Sequence, residues 1–235
     1  MNPNPVTVRQ VSARLARSYG FVAGAFWAIM IVLLVVVETL VLVFADDPSS
    51  VWQGFRWAPQ YFLLFMGVML VTTYLPIQVA HGITRSIAIR AGSLIAVVIS
   101  VAFAVVLELG FLAERGLYNA LGLVQFPDSI DLVASPERIL LSITEFSVLY
   151  LAYFVGGWAI AAGFYRFGGW IGTLMIAPAA APALLAEMSQ WNGAILGEAH
   201  GHGQAWLAAA VVTALVALLW IYTRALIRTA PISAK

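Results

Sequence analysis

Three carboxylates, Glu38, Glu108 and Glu145, stand inside runs of the chain that are otherwise close to continuous hydrocarbon. A charged group in hydrocarbon costs on the order of 2.5 to 3.5 kcal/mol on insertion scales, so each must face protein or water and find a partner. Counted along their runs, all three fall in the third nearest the acid-rich connections. A common depth reads as an outer vestibule lined by acids. The plainer reading has them reach outward to solvent or pair with Arg56, Arg115 or Arg138.

The remaining chemistry is sparse. There is no cysteine, so neither a disulfide framework, a thiolate metal site nor a cysteine nucleophile arises. Of the three histidines, His81 falls between two apolar runs, and His200 and His202 share the polar segment "GEAHGHGQ" with Glu198. Alternate residues of an extended strand share a face and could hold a metal, but three glycines and no fourth ligand favour a solvated loop. No histidine stands at depth to ligate a haem or act as a base. A phosphate-binding loop needs a lysine after its glycines, and the lone lysine is Lys235. The reading is therefore no catalytic residue, no metal and no cofactor in this chain.

What must position these groups is a membrane domain. Of 235 residues, 62% are hydrophobic and 10% charged, with a mean hydropathy of +0.94, outside the range of soluble globular domains. Crossing a hydrocarbon core about 30 Å thick takes about 20 residues of helix. Six such runs occur, near 21–45, 60–80, 92–113, 139–164, 169–187 and 205–224. The first is too long for a cleaved leader and is expected to stay. The fold class expected is all-α: one transmembrane domain over 1–235, six transmembrane helices preceded by an amphipathic interfacial helix.

Basic residues are retained on the cytoplasmic side of inserted helices. With the N-terminus inside, the inner segments hold Arg9, Arg14, Arg17, Arg85, Arg90, Arg166, Arg224, Arg228 and Lys235 and no acid. The outer segments hold Arg56, Arg115 and Arg138 against Asp46, Asp47, Glu114, Asp128, Asp131, Glu137, Glu187 and Glu198. The expectation is a multi-pass protein of the cell (inner) membrane with both termini cytoplasmic.

Val8, Val11, Leu15 and Tyr19 repeat on one helical face, opposite Arg9, Arg14 and Arg17. That pattern suits an interfacial helix over 6–19, apolar face in the acyl boundary and arginines toward lipid phosphates; an ordinary basic flank is the alternative. "GFYRFGGW", 163–170, reads as a tight hairpin, and the connection over 114–138 has room for a short amphipathic helix. The fifth run contains Pro178 and Pro182, which should kink it, either as a packed, bent helix or with a re-entrant outer end.

Between the second and third runs stands "LPIQVAHGITRSIAIRAG". Pro76, Gly82, Thr84 and Arg85 in that stretch resemble the "FPF-six-residue-G-x-T/S-R" loop of bacterial ABC-2-type permeases, the membrane subunits of type V ATP-binding-cassette exporters. The basic N-terminal helix, the six crossings, the tight hairpin and the proline-rich fifth run are similar too; where the commoner form has a second basic residue, this chain has Ser86. The resemblance implies that Pro76, His81, Gly82, Thr84, Arg85 and Arg90 form a coupling loop for separately encoded ABC ATPase subunits, which supply the ATP chemistry. Gly82 would end one helix in a left-handed turn, Thr84 would cap the next, and Arg85 would reach the ATPase. It implies a homodimer, or a heterodimer with a paralogous permease, exporting a substrate by alternating access, with membrane lipids and no nucleic acid as further partners. The plainer alternative reads Arg85 and Arg90 as lipid-facing topological charges, and the runner-up for the chain is a non-transporting immunity or scaffold protein.

Overall fold

The computed structural model describes residues 7–44, 50–122, 136–196 and 202–229. Their regular structure is helical throughout, in chain order α1 (Val8–Phe44), α2 (Val51–Phe55), α3 (Ala58–Met69), a five-residue π turn (Leu70–Tyr74), α4 (Leu75–Ala80), α5 (Arg85–Leu121), α6 (Pro136–Phe167), α7 (Gly169–Leu174), α8 (Ile176–Leu196) and α9 (His202–Thr229). They compose six helical stretches long and apolar enough to cross a membrane: α1, then Val51–Ala80, α5, α6, the α7–α8 pair and α9. The protein is an all-α membrane protein. Its spans alternate in direction, so the beginning of α1 and the end of α9 lie at one end, here the basic end, with the turns at 81–84 and Gly168.

The centre of the bundle is α6, which packs against α3, α5, α7, α8 and α9. In lipid, helices gain little from hydrophobic association and come together through close packing. The pair Gly156 and Gly157 supplies it on two sides. A Cβ on Gly157 would lie 2.0 Å from the Leu64 carbonyl oxygen of α3, and one on Gly156 would lie 2.9 Å from that of Ala179 on α8. Gly67 reciprocates from α3, where a Cβ would fall 2.0 Å from the Phe154 carbonyl oxygen. An aromatic stack of Phe26, Phe62 and Phe103, with Phe26 and Phe62 rings 4.2 Å apart, joins α1, α3 and α5. Ile29, Val32, Val35 and Val36 of α1 stay exposed, as expected of a face turned to lipid.

The amphipathic N-terminal segment departs from expectation. No break separates it from the first span, because α1 is one helix of 37 residues, about 55 Å at about 1.5 Å per residue. Val11, Leu15 and Tyr19 are buried against the bundle rather than free for an acyl boundary. The Tyr19 hydroxyl donates to the Met66 carbonyl (3.1 Å), and its ring lies 4.9 Å from that of Tyr74. Arg9, Arg14 and Arg17 are exposed on the opposite face.

Prolines explain the irregular helices. Pro76 has no N–H and its ring crowds the carbonyl four residues back, and just ahead of it the ladder widens, Leu75 N–H bonding to the Leu70 carbonyl, five residues back. Pro178 does the same to Leu174, so α7 stops there and α8 restarts with Pro178 in its first turn, where a missing donor is tolerated. α8 then passes Pro182 unbroken and reaches Leu196. The fifth span is thus interrupted at Met175 and continues, packed against α6, as one helix to Leu196. Helix α5 likewise runs past its apolar run, through the start of the 114–138 connection, to Leu121 and a left-handed Gly122. The short amphipathic helix expected at the start of that connection, ahead of its prolines, is thus over 114–121 a continuation of α5 and not a separate element; residues 123–135 lie outside those described, as do Asp46, Asp47, Asp128, Asp131, Glu198 and His200.

Candidate functional site

The turn between the second and third spans is built from its residue types. Helix α4 stops at Ala80, and Gly82 takes φ +76°, the left-handed region. Gly82 N–H returns to the Val79 carbonyl and Ile83 N–H to the Gln78 carbonyl, both at 3.0 Å, the paired bonds of a Schellman ending. Ile83 tucks its side chain inside. Thr84 is extended and caps α5, its hydroxyl accepting from Ile87 N–H (3.4 Å). His81 donates from Nδ1 to the Ile77 carbonyl (2.7 Å). The result is an abrupt elbow, with Pro76, His81, Gly82, Thr84 and Arg90 exposed on the basic end.

Arg85 behaves differently from Arg90. It is half-buried, and its Nη1 donates to the Ile227 carbonyl of α9 (3.1 Å). Arg166, from the end of α6, donates through Nη1 to the neighbouring Leu226 carbonyl (3.1 Å). Cations are favoured near the C-terminal end of a helix by the helix dipole. Two arginines from two different turns thus hold the end of the sixth span. Beside them a small cleft, lined by Leu70, Leu75, Ala88, Ile89, Trp158 and Ile227, surrounds Gln78, whose Oε1 is buried without a partner among the described residues.

The three span carboxylates each have their own surroundings. Glu38 of α1 lies beside Tyr118 and Glu114 of α5, and Glu114 in turn accepts from the Ser50 hydroxyl (2.7 Å) and Trp52 N–H (3.0 Å). Glu108 is buried between α5 and α6 and accepts from the Ser142 hydroxyl (2.6 Å). Glu145 is half-buried on α6. The Tyr118 hydroxyl lies at Glu38 and the Ser142 hydroxyl at Glu108.

A polar cluster that sequence reasoning missed ties three spans together. Glu187, assigned from the sequence to an outer segment, sits within α8 and is half-buried. It accepts from Gln60 Nε2 of α3 (2.6 Å) and from the Tyr153 hydroxyl of α6. Gln60 also donates to the Tyr153 oxygen (3.3 Å). Arg56 faces Glu187 and Tyr150. The available signal was three polar-tipped residues, Gln60, Tyr150 and Tyr153, inside apolar runs. Among the described residues no group of histidines and acids could hold a metal ion.

Compared with protein-family models, curated proteins and solved structures, the chain matches none.

Proposed function

We propose that the chain is the membrane-spanning permease subunit of an ATP-binding-cassette exporter, which dimerises and couples to separate ATPase subunits through the elbow at 81–84. The observation that carries this reading is the elbow's construction. A left-handed Gly82 and a capping Thr84 turn the chain sharply and leave His81 and Arg90 exposed, as a rigid docking corner requires. Rigidity matters because a partner gains affinity from a surface that needs no ordering on contact. The roles of the two arginines differ in this reading: Arg90 meets the ATPase, and Arg85 fastens the elbow to the sixth span. A push on the elbow is then transmitted to α9 through Arg85 and the Ile227 carbonyl. The six spans and the exposed arginines of α1 fit the same assignment.

Pull-down of the tagged chain, co-expressed with an ABC ATPase encoded beside it and extracted in gentle detergent, tests the reading. Arg90→Glu should lose the ATPase, since an unpaired charge at a desolvated interface commonly costs about 2 to 5 kcal/mol. Gly82→Val should lose it too, because a β-branched residue resists the left-handed region. Arg228→Glu, an equal charge change on the exposed end of α9, should keep it. Equal retention by all three variants, or no ATPase bound to the unaltered chain, overturns the assignment.

A further inference from the structure

We propose that Glu108 is a proton-binding site inside the membrane span, its carboxyl held in the neutral, protonated form between α5 and α6 with Ser142 as hydrogen-bond partner. Glu108 is 2% exposed and Ser142 1%. The Ser142 hydroxyl donates to Oε2 at 2.6 Å, while Oε1 is buried with no partner among the described residues. An ionised carboxylate offers about four acceptor sites, and this one receives a single donor. Burying such a charge without a cation costs far more than leaving one hydroxyl of a neutral acid unsatisfied. A proton on Oε1 removes the charge, and the Ser142 bond then falls on the carbonyl oxygen, which still accepts it, though more weakly than a carboxylate does.

Among the described residues, no cation pairs with Glu108. From α6 comes Glu145, three residues past Ser142, and from α1 comes Glu38, which lies with Tyr118 and Glu114 farther along α5. Trp52 of α2 spends its indole N–H on the Leu107 carbonyl (2.9 Å). Arg56 faces Glu187 and Tyr150. Arg115 stands seven residues beyond Glu108, two helical turns away along α5. Arg138 stands four residues before Ser142, and its side chain is outside those described, so the test includes it. The inference is independent of the exporter reading, because its readout is the state of one side chain and not transport.

Infrared spectra of the purified chain in lipid at neutral pH, in light and heavy water, provide the test. The expected result is a protonated-carboxyl carbonyl band that shifts down in heavy water, is lost in Glu108→Gln, and persists in Glu38→Gln and Glu145→Gln. Ser142→Ala, which keeps the acid and removes its donor, should move that band to higher frequency, so the assignment survives even if Glu108→Gln fails to fold. Loss of carboxylate rather than carbonyl intensity in Glu108→Gln overturns the proposal. A protonated band seen only in Arg138→Gln overturns it as well, by identifying Arg138 as a countercharge.

Discussion

Gly157 has nowhere to put a side chain. Its Cβ would lie 2.0 Å from the Leu64 carbonyl oxygen, and a backbone atom cannot swing aside as a flexible side chain can. Gly157→Ala must therefore push α3 and α6 apart, an overpacking cost of about 1 to 3 kcal/mol. Gly24→Ala meets nothing within 4 Å on α1 and should be neutral or stabilising by up to about 1 kcal/mol, from helix propensity. Thermal unfolding of the two variants in detergent checks the contrast. Glycines of this kind were opaque in the sequence, because "FVGGWA" carries no sign of which neighbour each glycine faces. Gly82 and Thr84 were legible, since a left-handed turn and an N-cap are local demands of the backbone that particular residue types satisfy.

Among elements, the end of α9 shows how a charge that reads as topological acquires a structural task. Arg85 and Arg166 bond to adjacent carbonyls of its last turns, and hydrogen bonds from charged donors are worth about 1.5 to 3 kcal/mol each. Arg166→Ala should leave insertion intact and loosen that end. Hydrogen exchange at residues 224–229 should speed up by about ten-fold or more, while exchange in the centre of α6 stays unchanged. No change at α9 would mean that the two bonds do not hold it. Proline punctuation was legible at Pro178 but not at Pro182, which α8 passes unbroken, and the hairpin closed by Gly168 (φ +76°) was legible too. The Gln60, Tyr153 and Glu187 cluster was not, because its members lie 34 to 127 residues apart, and helix rotation about the long axis decides whether they meet. The same rotation placed Glu38, Glu108 and Glu145 in different surroundings despite their similar depth along the runs.

Over the whole molecule, apolar run length determines the number of spans, and charge asymmetry predicts which end faces the cytoplasm. The count follows from the hydrocarbon thickness alone and matches the six helical stretches observed. The N-terminal segment runs into the first span as one helix, and an amphipathic period looks alike whether its apolar face meets lipid or protein; at Tyr19, bonded to Met66, it meets protein. The central claim, an elbow within reach of a cytoplasmic ATPase, requires the basic end to face inward. The chain has no cysteine, so single introduced thiols can be labelled without background. His81→Cys at the elbow and Phe167→Cys at the hairpin, both at exposed positions, should react with a membrane-impermeant maleimide only after the cells are opened. Leu121→Cys, exposed at the far end of α5, should react on intact cells. Labelling of His81→Cys in intact cells, with Leu121→Cys protected, would place the elbow outside, beyond the reach of any ATPase, and would contradict the account.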